Sequence, residues 1–204
     1  MGLISNGSTI FDAGSMSAGF GGSMTFIKKL TASSSATLSF VDGSGGVVLD
    51  NTYKEYVFTF KNIHQATNVA TLSFQVSTDG GSSYGVNITS SFFYASHQES
   101  GGSTQLYYWT ARDLAQSTSF QMLGEDAGNS NEDCYAGKLT LFNPSSTTFC
   151  KHFLSDVQST NRSNFSTRAN TGGYVNTTSA VDAVQFKMTS GNIDSGDICL
   201  YGIA

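Results

Sequence analysis

Ala70-Thr71-Leu72-Ser73-Phe74-Gln75-Val76-Ser77, followed by Thr78-Asp79-Gly80-Gly81, is the most regular stretch of the chain. Leu72, Phe74 and Val76 fall on one side of a period-two pattern and polar residues on the other, as in a half-buried strand. Asp-Gly-Gly is a strong turn signal. The chain resumes at Tyr84 and runs through Val86, Ile88, Phe92, Phe93 and Tyr94, which reads as the return arm of a hairpin.

The same pattern extends in both directions. Residues 24–30 and 36–41 alternate on either side of a Ser-rich turn, and in 53–61 Tyr56, Phe58 and Phe60 share one face. Further strands are expected at 104–110, 118–123, 134–143, 148–158, 172–177, 181–189 and 197–203. Only Ala111-Arg112-Asp113-Leu114-Ala115-Gln116 hints at a helical turn. A dozen short strands with frequent turns predict an all-β, antiparallel, jelly-roll-like β-sandwich over 24–204. Residues 1–23 are small and irregular. They read as a flexible N-terminal arm, with Ile4, Ile10, Phe11 and Phe20 as its anchoring side chains.

Composition narrows the function. Charged residues make up 12% of the 204 residues, about half the usual share, whereas 15 Phe and 9 Tyr supply ample apolar surface. A surface rich in Ser, Thr, Asn and Gly is typical of β-rich extracellular and viral structural proteins. The net charge of −5, with scattered Lys and Arg, argues against nucleic acid. No apolar run is long enough for a spanning helix. The opening Met1-Gly2-Leu3-Ile4-Ser5-Asn6-Gly7 lacks the regions of a secretory signal, so none is expected.

Candidate chemistry is sparse. Cys134, Cys150 and Cys199 show no metal-ligand spacing and read as buried free thiols. His64, His97 and His152 form no ligand motif, and no catalytic or metal residue is assigned. Cys150 and His152, two apart in an expected strand, would point to one face. The acidic loop 125–133 has oxygen ligands for a cation but lacks the spacing of a defined calcium loop. Five Asn-x-Ser/Thr sequons, at Asn6, Asn87, Asn161, Asn164 and Asn176, are close to chance in so polar a chain. Tyr107-Tyr108-Trp109 is the densest aromatic cluster. Tyr107 and Trp109 share a strand face and, with Tyr94, would stack on sugar if exposed or form core if buried.

Several segments resemble a family of small structural proteins of tailed bacteriophages of marine bacteria, including cyanophages. The resemblance is carried by Phe26-Ile27-Lys28-Lys29-Leu30-Thr31-Ala32-Ser33-Ser34-Ser35, Val48-Leu49-Asp50-Asn51-Thr52-Tyr53, Phe60-Lys61-Asn62-Ile63-His64 and Leu141-Phe142-Asn143-Pro144-Ser145-Ser146-Thr147-Thr148-Phe149. Further matching segments are Asn176-Thr177-Thr178-Ser179-Ala180, Val184-Gln185-Phe186-Lys187, Ser190-Gly191-Asn192-Ile193-Asp194-Ser195-Gly196 and Leu200-Tyr201-Gly202-Ile203. It spans roughly 24–203. Gln65 stands where the family pattern often has proline. The resemblance implies a non-enzymatic virion component, a capsid decoration, head fibre or short fibre subunit, made without a signal peptide and without cofactors. The expected partners are further copies of the chain (a trimer ahead of a dimer) and capsid or tail proteins. The alternative is a carbohydrate-binding module of a tail fibre that recognises host surface polysaccharide.

Overall fold

The computed structural model describes Leu3–Ser5, Ser8–Asp12, Ser15–Met16 and residues 23–204. The first three segments, β1, β2 and β3, form a small antiparallel sheet of their own within the segment read as an arm. Ile4 is exposed there. Phe20 and the side chains of Ile10 and Phe11 lie outside the described residues.

Twelve strands follow: β4 (Met24–Ser35), β5 (Leu38–Val41), β6 (Glu55–Gln65), β7 (Leu72–Ser77), β8 (Ile88–Gln98), β9 (Thr104–Tyr108), β10 (Gln121–Met122), β11 (Cys134–Phe142), β12 (Lys151–Thr160), β13 (Phe165–Val175), β14 (Ala183–Met188) and β15 (Ile193–Ile203). They build an eight-stranded sheet, β4-β15-β6-β11-β12-β13-β8-β9, facing a four-stranded sheet, β10-β7-β14-β5. Every pairing is antiparallel.

The connectivity is a jelly roll with two insertions. Pairing is nested: β4 with β15, β5 with β14, β6 with β11, and β7 with β10. That nesting, with the chain switching sheets at almost every step, is what a rolled-up double Greek key produces. The inserted pairs β8–β9 and β12–β13 both add to the β11 side of the larger sheet, which therefore outgrows its partner.

The core lies between the sheets. Phe186 of β14 is its hub, with ring centroids of Phe58 at 5.3 Å, Phe60 at 5.4 Å and Phe40 at 6.2 Å, mostly edge to face. Aromatic pairs in that geometry stabilise beyond simple area burial. The inner face of the extension is covered by the segment after β9, a 3-10 turn at Thr110–Arg112 followed by irregular chain. Trp109 packs there on Phe92, Tyr94 and Ala169, and Leu114 bonds to Ser90 through its backbone.

One local expectation is corrected. β7 and the segment after it are not a hairpin, because β8 lies in the other sheet, between β13 and β9. The physical reason lies at the turn. Asp79 accepts hydrogen bonds from the Ser77 hydroxyl at 2.6 Å and the Ser83 amide at 3.0 Å, folding 77–83 back on itself. The next residues then cover the polar side of β7, where Gln75 Nε2 donates to the carbonyls of Val86, Thr118 and Ser119. β7 is thus buried on both faces. β4 and β5, on either side of the Ser-rich turn, belong to different sheets.

Candidate functional site

Among the described residues no second sheet pairs over the outer face of the larger sheet. A single row crosses it in register: Phe26, Tyr201, Val57, Thr140, Leu154, Gly172 and Ser91 are successive cross-strand partners from β4 to β8. Phe93, next outward-facing after Ser91, stands opposite Tyr108 of β9. Phe26 is 57% exposed and packs edge to face on Tyr201 at 5.6 Å, and Leu154 is 59% exposed. A side chain at Gly172 would press on Leu154 Cδ2 at 3.2 Å, so Leu154 lies over that glycine. Charge flanks the row: Arg168 forms a bidentate pair with Asp156 (2.9 and 2.6 Å), and Glu55 and Lys138 line the same shallow groove. The Arg168 guanidinium holds the Asp156 carboxyl below its ordinary range. The groove therefore offers apolar contact beside one ion pair and the side chains of Glu55 and Lys138.

The three aromatic residues singled out from the sequence do come together, at the β8–β9 edge. Ring centroids are 5.8 Å apart for Tyr94–Tyr107, 5.7 Å for Tyr94–Trp109 and 6.5 Å for Tyr107–Trp109. As a sugar-stacking platform they are incomplete. Tyr94 is buried, and its hydroxyl accepts a hydrogen bond from Gln105 Nε2 at 2.8 Å. Trp109 is half-buried, hemmed in by Phe92 and Tyr94, with the Arg112 guanidinium 4.4 Å from its ring centre. Only Tyr107 keeps an open ring, beside exposed Leu106 and Tyr108. Trp109 is absorbed because it follows the last residue of β9 and turns inward as the covering segment begins.

A second constellation was not legible in the sequence. His64 and Cys134 are direct partners across β6 and β11. His64 Nδ1 lies 3.3 Å from Asp194 Oδ2, and Nε2 lies 3.1 Å from the Ser130 carbonyl. A bulge brings them to the surface. β6 carries one extra residue at Lys61–Asn62 relative to β11, which β15 offsets with one of its own at Asp194, and Asn62 is in the left-handed region at φ 49°. Inward positions therefore shift from Tyr56, Phe58 and Phe60 to Ile63 and Gln65, and His64 turns outward. Both imidazole nitrogens face oxygens and no hydrogen bond joins the ring to the thiol, which burial and then the charge of Asp133 push upward. That keeps the sulfur protonated and a poor nucleophile.

The remaining candidates are dispersed. In the acidic loop, Glu125 accepts from Asn161 Nδ2 (3.0 Å) and Thr167 Oγ1 (2.8 Å), Asp126 pairs with Arg112 (2.5 Å), and buried Asp133 accepts from the Ser130 amide (3.2 Å). Glu125 and Asp126 are taken up by protein donors; among the described residues Asp133 Oδ1 has no partner, and no group of three or more His, Cys, Asp or Glu is arranged to hold a metal ion. Cys150 lies outside β12 and faces Asn176, whereas His152 packs beside Tyr174 at 6.1 Å, so the two do not pair. His97 is exposed on β8. All three cysteines are free, but only Cys199 is buried. No helix is long and apolar enough to cross a membrane among the described residues. Compared with known protein families, curated proteins and solved structures, the chain finds no match in any of the three.

Proposed function

We propose that this chain is a non-enzymatic structural subunit of a bacteriophage virion surface, a capsid decoration, head-fibre or short-fibre component that self-associates and docks on the particle. The observation that carries the reading is the set of large exposed apolar side chains on the outer face of the eight-stranded sheet, Phe26, Leu154 and Phe93. Phe93 and Leu154 line one groove together with Phe142, and apolar side chains grouped at an exposed groove mark a contact site. Jelly rolls are recurrent in viral capsid and lectin domains. Architecture alone assigns no function, so it supports the reading only together with that surface and the family resemblance. The low charge and Ser/Thr-rich exterior fit a protein that works by contact.

The carbohydrate-binding alternative takes second place, because of its three rings only Tyr107 offers an open face. Mass spectrometry of purified particles, followed by cryo-electron microscopy, tests the proposal. The chain is expected in the particle in many copies with the outer face of the larger sheet against a neighbour. Its absence from purified particles overturns the reading.

A further inference from the structure

The larger sheet ends at β9, and this edge differs from its opposite number. Trp109 N–H donates to the Phe92 carbonyl at 3.0 Å and Gln98 N–H to the Ser103 carbonyl at 2.9 Å. In an antiparallel ladder bonded residues alternate, so Gln105 and Tyr107 turn their backbone groups toward β8. Those of Thr104, Leu106 and Tyr108 point away from the sheet, where no strand among the described residues covers them. All five residues of β9 are exposed, Leu106 at 77%. Phe93, Leu106, Tyr107 and Tyr108, four of the large exposed apolar side chains among the described residues, gather at this one edge.

Natural sheets protect their edges with charge, proline or bulges, or by covering them. β9 has none of these. The other edge strand, β4, carries Lys28 and Lys29 in mid-strand. An uncovered, uncharged edge lined with apolar side chains is built to be paired. Its occupant is set by symmetry: the outward backbone groups of Thr104, Leu106 and Tyr108 are self-complementary about Leu106, and the strand has no charge to oppose its own copy. Two β4 edges would instead bring lysines together.

We infer that β9 pairs antiparallel with the β9 of a second copy, about a two-fold axis through Leu106. Leu106 then faces Leu106 of the second copy, and Thr104 faces its Tyr108. Each of these pairs exchanges both N–H···O bonds. On the outer face the apolar rows of the two copies join into one surface. The inference gives a partner and a surface to the self-association proposed above, on which its biological purpose rests. It makes the unit a dimer, where the resemblance put a trimer ahead of a dimer.

The test is light scattering and sedimentation of the full chain, with Leu106→Lys and Leu106→Pro. Both substitutions leave the ladder to β8 intact, because the Leu106 N–H points outward. Circular dichroism and thermal melting serve as folding controls. The wild type is expected to be a dimer, with each variant weakening dimerisation by about tenfold or more. Oxidation of Leu106→Cys then reads the register. Facing residues of a bonded antiparallel pair have Cα atoms about 5.5 Å apart, within disulfide reach. Leu106→Cys is therefore expected to cross-link above the background set by the native cysteines, and Thr104→Cys is not. A wild type that stays monomeric, a dimer indifferent to both Leu106 variants, or equal cross-linking by the two cysteines overturns the inference. Detection of the chain in purified particles is scored separately, so an edge that does not pair and a chain that is not in the virion are distinct results.

Discussion

The guanidinium carbon of Arg112 sits 4.4 Å from the centre of the Trp109 ring, while Nη2 of the same group pairs with Asp126 at 2.5 Å and Nη1 donates to Thr71 Oγ1 at 3.1 Å. One nearly buried cation thus pins the only tryptophan of the chain, the residue that leads into β7 of the four-stranded sheet, and the acidic loop at once.

Arg112→Ala is expected to destabilise by about 2 kcal/mol, below the about 3–5 kcal/mol of a fully buried pair because the Asp126 side chain is 37% exposed. Trp109 emission should move to the red in the folded state, since its ring loses its cover. Arg112→Lys should recover little, because an ammonium cannot reproduce the planar fork. Urea unfolding followed by fluorescence checks all three.

The bulge at Asn62 makes a second prediction. A Cβ on Gly196 (φ +113°) would stand 2.4 Å from the Asn62 carbonyl oxygen. Gly196→Ala is therefore expected to cost about 1–3 kcal/mol, since the contact is backbone and has little room to move. Asn62→Val should cost about 1–2 kcal/mol, because a β-branched residue resists positive φ, whereas Asn62→Gly should be nearly neutral. Chemical denaturation gives the costs. Histidine resonances report whether His64 stays beside Asp194.

Phe186→Ala removes the ring around which Phe40, Phe58 and Phe60 are arranged. A loss of about 3–5 kcal/mol is expected, combining transfer and cavity terms. The folded fraction of this variant, followed by near-ultraviolet circular dichroism against denaturant, is the measurement. Wild-type stability in Phe186→Ala would mean the core is not centred there.

The turn after β7 predicts an acid response. Hydrogen bonds first from Ser77 and then from Ser83 lower the Asp79 carboxyl from 3.8 to about 2. A carboxyl whose folded value is depressed stabilises the fold above its unfolded value and loses that contribution as pH falls toward the folded value. Melting temperature should therefore drop between those two limits. Asp79→Ala should melt lower at neutral pH and fall less steeply across that window. Parallel melting curves of the two proteins at a series of acid pH values decide it.

Particular strands show how far the sequence could be read. Twelve stretches of period-two alternation became twelve strands because a side chain's face in a strand is set by the backbone alone. Where one face is not apolar, the signal fails. The first half of β13 was missed because Thr167 and Thr171, not aliphatic residues, point inward there. The aromatic triplet was found, but its exposure was not, because whether Trp109 is open or covered depends on Arg112 folding over it.

Alternation, turn residues and low charge were enough to require an antiparallel sandwich, since these are local properties of the backbone and its solvent. Which strands lie side by side depended on the whole chain. The nested pairing of β4 with β15, the outward turn of His64 after one extra residue and the bare edge at β9 come from contacts between residues far apart in sequence. Hydrogen-bond registry and shared burial are settled only when those strands meet, and no local pattern records them.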